Sequence, residues 1–202
     1  MVGLIINPCT DSIWSEVATT NWDEQYRKRI GNEPSIPRNW LVEHADLYPS
    51  GGACFEAAVG LGGNLPYLMG RGYRVYAADL SQMAVRHIKN SYPDVRVIRA
   101  DLAYFPLPDQ FFSLISHFYY LDWSLMDQYQ RALIPGGMVV FETLTTQMLA
   151  FRPDIAPERL LQPGKLRDYF RDWDILDYRE GWFDSEHGHE KAIASIIARK
   201  KP

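Results

Sequence analysis

Glu56 stands four residues ahead of Gly60 in "FEAAVGLGGN", where an apolar run opens into a glycine-rich bend. Gly60 and Gly62 let a backbone approach a ligand closely, because no Cβ intervenes. The following "NLPYLMGRG" has the look of a short helix, whose free amides face whatever the bend holds. A second apolar run, "YRVYAADL", ends in Asp79, nineteen residues after Gly60. In nucleotide-binding βαβ units an acid at that place accepts hydrogen bonds from ribose hydroxyls. The structural alternative is an aspartate favoured by the free amides of the next helix.

The ligand is constrained by charge. A dinucleotide fingerprint reads G-x-G-x-x-G, but here the third glycine position is Leu65 and an extra Gly63 intervenes. A pyrophosphate beside Glu56 meets repulsion, whereas an ammonium or sulfonium group meets attraction. S-adenosylmethionine carries both cations. The plain alternative for Glu56 is a strand glutamate paired with a nearby lysine or arginine.

Those residues need a frame to position them, and the sequence supplies one by alternation. Strands are predicted at "ACFEAAV", "YRVYAADL", "VRVIRA", "FFSLISHF" and "MVVFETL". Helices fall between them at "NLPYLMGRG", "SQMAVRHIKN", with Ser81 as its cap, and "SLMDQYQRAL". Such alternation implies a mostly parallel sheet covered on both faces. After a helix at "KLRDYFRD", the runs "WDILDYREGWF" and "KAIASIIARK" are joined by a loop alone, which suits an antiparallel pair. The expected fold is α/β: a Rossmann-like, seven-stranded, mostly parallel sheet with helices on both faces and an antiparallel C-terminal strand pair. Ahead of it, "WDEQYRKRI" and "IPRNWLVEHADL" read as helices, the second with Pro37 in its first turn and Trp40, Leu41 and His44 on one face.

Taken together, "FEAAVGLGGN", "YRVYAADLS", "VRVIRADL", "FYYLDWSL", "RALIPGGMVVFETLT" and "LLQPGKLRDYF" resemble a class I S-adenosylmethionine-dependent methyltransferase from about Trp22 to the C-terminus. They are similar to the small tellurite-resistance-type methyltransferases. The resemblance implies one methyltransferase domain over residues 1–202, with residues 1–50 as a helical lid and 51–202 as the core. It implies S-adenosylmethionine as cofactor, its methionine end held by Glu56 and the amides around Gly60 and Gly62. Asp79 and Leu80 would take the ribose region, Asp101 the adenine amino group, and the Leu102 amide the ring. His117 is a ligand-facing group or a satisfied core histidine. Trp22 and Tyr26, i and i+4 on one helical face, would belong to a lid or pack on the sheet. Tyr119, Tyr120 and Glu142 would line the acceptor side, with Thr143 nearby. Two positions depart from the family pattern: Ser113 replaces an aspartate and Trp123 an arginine.

Composition narrows the partners. The 202 residues carry a formal charge of −4, with no excess of cations to neutralise a nucleic-acid backbone. An "NPPY"-type tetrapeptide is also missing after the fourth strand. Cys9 and Cys54 make no disulfide framework. "SEHGHEKAI" lacks H-E-x-x-H, because position 193 is Ile193, so no metal is expected. No secretory signal or membrane-length apolar run is read, which points to the cytoplasm. The function expected is methyl transfer to a small-molecule acceptor. The alternatives are a non-catalytic cofactor-binding module or a nicotinamide-dependent oxidoreductase. No catalytic residue is assigned.

Overall fold

The computed structural model describes residues 16–32, 36–186 and 188–201, without side chains for 16–21. Cys9 and His187 lie outside them. The chain runs through α1 (Glu16–Arg29), α2 (Asn39–Glu43), β1 (Gly52–Ala57), α3 (Leu65–Gly70), β2 (Tyr73–Asp79) and α4 (Gln82–Ser91). It continues through β3 (Arg96–Arg99), β4 (Phe112–Phe118), α5 (Ser124–Ala132), β5 (Leu133–Leu144), α6 (Lys165–Tyr169), β6 (Asp174–Asp184) and β7 (Glu190–Arg199). The strands form one sheet in the order β3-β2-β1-β4-β5-β7-β6. Neighbours from β3 to β5 are parallel, and β7 runs antiparallel to both β5 and β6. All seven strands expected are present, and the predicted C-terminal hairpin closes one edge.

The two-residue period of the strands divides the apolar side chains between two cores. Phe55 and Ala57 of β1 join Ile115, Val139, Phe141 and Ile196 on one face, beneath Leu125, Met126 and Tyr129 of α5 and Leu166 of α6. Cys54 joins Val75, Leu114, Val140 and Ile197 on the other, beneath Trp40 and Leu41 of α2, Leu65 and Leu68 of α3 and Val85 and Ile88 of α4. Every central strand is therefore apolar on both sides, as a sheet with two helical layers requires.

Local chemistry sets the element ends. Ser81 caps α4 as expected, its hydroxyl accepting the Ala84 amide at 3.1 Å. β1 stops at Ala57 rather than Val59, because Ala58 turns to a φ of 49°. Pro37 precedes α2 instead of filling its first turn, since Arg38 is the extended residue ahead of the helix. That helix lasts five residues before His44 breaks it into a 3-10 turn over Ala45–Leu47. Two further 3-10 turns, Thr146–Ala150 and Pro157–Arg159, carry the chain from β5 to α6 and have no sequence periodicity to announce them.

The strand order reverses between β1 and β4, which opens a crevice at their carboxyl ends, the usual ligand position of open α/β sheets. Gly62 lies in the bend above it at a φ of 78°. A Cβ there would stand 2.6 Å from Ile88 Cδ1 and 2.8 Å from Leu65 Cδ1, both fully buried. Gly136 has a similar φ of 74° and open space around it. Gly62→Ala is expected to cost about 2–4 kcal/mol, combining left-handed strain with overpacking, and Gly136→Ala only about 1 kcal/mol. Urea denaturation of the two variants measures the difference; equal losses would remove the packing role of Gly62.

Candidate functional site

At the carboxyl ends of the strands lies a cavity of about 540 Å³. Glu56, Gly60, Asp79 and Leu80 line it from β1, the bend and β2. Asp101 and Leu102 line it after β3, Tyr119 and Tyr120 after β4, and Trp22 and Tyr26 from α1. Residues far apart in the chain thus meet around one space. Gly62, His117 and Glu142 do not line it.

Asp79 builds the bend. One carboxylate oxygen accepts the Gly60 amide at 2.8 Å and the other accepts the Ser81 amide at 2.9 Å. The side chain is 6% exposed, and burial raises its pKa despite those donors. The Gly60 amide, expected to face a ligand, is consequently occupied by Asp79. The Gly62 amide likewise donates to the Val59 carbonyl at 3.0 Å. What Gly60 contributes is its missing side chain: a Cβ would stand 3.1 Å from the Tyr26 hydroxyl. The bend admits an aromatic ring from α1 against its backbone.

Glu56 is held from one side only. Its Oε1 accepts the Asn64 side-chain amide at 2.6 Å, while Oε2 is buried without a hydrogen-bond partner. Ser116 stands opposite in the β1–β4 register, and its hydroxyl is also unpartnered by geometry, though its nearness favours the ionised form of Glu56. Burial dominates and pushes Glu56 up to about 7, against the pull of Ser116, Asn64 and the Arg38 charge. Asn64 in turn accepts the Arg38 backbone amide at 2.9 Å, which fixes its orientation. The Glu56 carboxyl group is thus desolvated, held in place by Asn64 and half unsatisfied.

His117 resolves as a core histidine. It is fully buried; one ring nitrogen bonds the Tyr120 carbonyl and the other the Tyr129 hydroxyl at 2.8 Å. Burial lowers its pKa to about 4, so the ring is neutral at pH 7. Its place is beneath the loop, holding Tyr120. Glu142 acts similarly one layer below the cavity, accepting from Tyr119 at 2.8 Å, Ser195 at 2.7 Å and Arg179 at 3.3 Å. Tyr119 itself adopts a φ of 58°, unusual for a bulky residue, and its amide donates to the Glu142 carbonyl at 2.8 Å. Both ends of Tyr119 are thereby tied to one residue of β5. Burial raises the phenols of Tyr119 and Tyr120, the latter to about 12, so both remain hydrogen-bond donors.

Helix α1 lines the cavity through Trp22 and Tyr26. Trp22 and Tyr26 stack with ring centroids 5.7 Å apart. Asp23 between them accepts the Ser81 hydroxyl and the Met83 amide, the latter at 3.1 Å, and so latches α1 to the start of α4. Sequence reading missed this latch. It also missed Asn64, Arg38 and Lys191, which line the cavity. Asn64 was visible as a polar residue directly after the glycines. Lys191 was visible as a charge opening an otherwise apolar strand. Among the described residues no group of three or more potential metal ligands is gathered, and no helix is long and apolar enough to cross a membrane.

Comparison with known proteins matches the fold described above. Residues 55–141 match the family described as "Methyltransferase domain". A curated relative from Mycolicibacterium smegmatis, named a "probable S-adenosylmethionine-dependent methyltransferase", is 29% identical over 56% of this chain and 48% of its own length. The chain therefore spans about half the length of that relative. TehB from Haemophilus influenzae shares the fold with a TM-score of 0.68 at 17% identity, over 89% of this chain and 67% of TehB. A SAM-dependent methyltransferase from Aquifex aeolicus superposes with a TM-score of 0.62 at 17% identity, over 88% of this chain and 98% of its own.

The raised pKa of Glu56 carries a stability signature in the protein without ligand. Between its ordinary value of 4.5 and about 7, the folded protein keeps a proton that the unfolded chain releases. Stability therefore falls as pH rises through that window, by roughly 3 kcal/mol, and is flat above it. Glu56→Gln keeps an acceptor for Asn64 and removes the titration. Urea midpoints at pH 4.5 and 8 should show the variant gaining about 3 kcal/mol relative to wild type across the interval. Parallel profiles for the two proteins would contradict the buried, unpaired state of Glu56.

Proposed function

We propose that this chain, whose residues 55–141 match the methyltransferase-domain family, transfers the methyl group of S-adenosylmethionine to a small-molecule acceptor. The observation that carries the proposal is the buried, unpartnered Glu56 oxygen, on a residue that lines a cavity also lined by aromatic rings. When bound, the cofactor supplies a methyl group on a sulfonium, whose thioether leaving group is neutral. Glu56 would receive the methionine ammonium, with Asn64 holding the carboxylate in place. Asp79 would accept from the ribose hydroxyls with the lone pairs that the bend leaves free. Leu80, Asp101 and Leu102 would enclose the adenosine end.

The remaining residues position and exclude. Trp22 and Tyr26 would act as a lid over the bend, with the Asp23 latch favouring the closed position. Their aromatic faces attract a cation by about 0.5–2 kcal/mol and keep water out. Tyr119 and Tyr120 would flank the acceptor as donors, and His117 and Glu142 would set their positions from below. Alignment of the acceptor with the carbon–sulfur bond can alone supply on the order of 7–11 kcal/mol. His117, neutral and fully occupied, offers no general base.

Calorimetric titration with S-adenosylhomocysteine tests the cofactor cradle. Glu56→Gln and Asp79→Ala should each weaken binding by roughly 1–3 kcal/mol, the value of a charge-assisted hydrogen bond. Asp23→Ala, which removes the latch without touching the cavity, should weaken it by about 1 kcal/mol. Full affinity in the first two variants, with folded circular dichroism spectra, would refute the cradle. Radiolabelled S-adenosylmethionine offered with a metabolite panel tests transfer itself. Cofactor binding with no transfer to any acceptor would favour a binding module.

A further inference from the structure

The cavity is charged asymmetrically. Glu56, Asp79 and Asp101 lie at the ends of β1, β2 and β3, whereas Lys191 enters from the start of β7. In the sheet β7 is three strands from β1, by way of β4 and β5. Adjacent strands lie about 4.8 Å apart, which puts the two strands about 14 Å apart across the sheet. Because β7 is antiparallel, its first residues stand at the carboxyl ends of the parallel strands, on the side away from the adenosine cradle.

Lys191 has no obvious assignment within the protein. Its ammonium lies 4.5 Å from the centre of the Tyr119 ring and, among the described residues, forms no ion pair within 4.0 Å. The two nearby carboxylates are committed elsewhere. Glu186 pairs with Arg38 at 3.2 Å and accepts the Asn39 amide at 3.2 Å. Glu142 takes Arg179, Ser195 and Tyr119. Arg38 also stands 4.5 Å from the Tyr119 ring centre, so two cations flank one aromatic wall. A partly buried lysine beside a second cation is costly unless an anion joins them.

We propose that the methyl acceptor bears an anionic group, carboxylate or phosphate, which Lys191 receives beside Tyr119 at the β5–β7 end of the cavity. This rests on the methyl-transfer reading above and adds the chemical class of the acceptor. Lys191 neutralises the anion, Arg38 reinforces it while keeping Glu186, and the Tyr119 and Tyr120 rings flank the body of the molecule. The opposite charge of the two ends also prevents an anionic acceptor from settling on Glu56.

The test uses the full chain saturated with S-adenosylhomocysteine and three aromatic probes: benzoate, phenyl phosphate and benzyl alcohol. Ligand-observed NMR titrations give their affinities. At least one anion is expected to bind tenfold more tightly than the alcohol, and which one distinguishes carboxylate from phosphate. Lys191→Gln should erase that preference while leaving adenosylhomocysteine affinity within twofold, and Lys191→Arg should retain it. Equal binding of all three probes overturns the proposal, as does an unchanged preference in Lys191→Gln. A tenfold loss of adenosylhomocysteine binding in Lys191→Gln also overturns it, because the lysine would then serve the donor's carboxylate. Failure of wild-type protein to bind adenosylhomocysteine strikes the methyl-transfer reading instead. The probes are then titrated into the free protein, where the same dependence on Lys191 is required.

Discussion

An ionisable group cannot be buried without a partner at no cost, and the site is organised around one group that has only half of one. Glu56 sits on the central strand of a sheet covered on both sides, where water does not reach it. A single amide from Asn64 holds it, and Arg38 approaches only as a distant charge. Replacing Glu56 by an apolar residue would suit the core better than the carboxylate does. The sheet instead retains an acid with one oxygen unpartnered, which under the proposed function the donor's ammonium would complete. The side chains around it follow from that constraint: Asn64 begins α3 to reach it, and Arg38 binds Asn64 to fix the amide.

Asp79 plays the complementary part. Its two oxygens join β2, the bend after β1 and the first amide of the turn into α4, so one side chain sets the spacing of three elements. The bend can be this tight because Gly60 and Gly62 adopt left-handed conformations. It can be covered this closely because Gly60 offers no Cβ to Tyr26. Asp23 then uses the same turn as an anchor for α1. Closure over the cavity and construction of the bend thus share the backbone around Ser81, and a change in one is felt by the other.

The strands, their direction and the crevice were legible in the sequence, because hydrophobic period and short connections depend on local chemistry. Ser81 as a cap and Asp79 at a strand end were legible for the same reason. What escaped were interactions fixed by the third dimension. Nothing local to "FYY" distinguishes a histidine facing a ligand from one held by Tyr129, which lies twelve residues away. Glu142 could be placed at the end of β5, yet its role beneath Tyr119 depends on Arg179 and Ser195, 37 and 53 residues later in the chain. Arg38 carried no signal in isolation, and Lys191 was visible only as a charge at a strand start, which is ordinary. The short 3-10 turns after β5 likewise lack the repeat that makes a helix readable.

The two ends of the crevice differ in how their charge is fixed. On the β1–β3 side the acids are held by backbone amides and Asn64, which are neutral donors and leave them without an ion-pair partner. On the β5–β7 side the acids Glu142 and Glu186 are paired with arginines, and Lys191 forms no ion pair among the described residues. Low-dielectric walls focus such a field along the cavity rather than letting water dissipate it. Under the proposed function, a cationic donor would be drawn to one end and an anionic acceptor to the other.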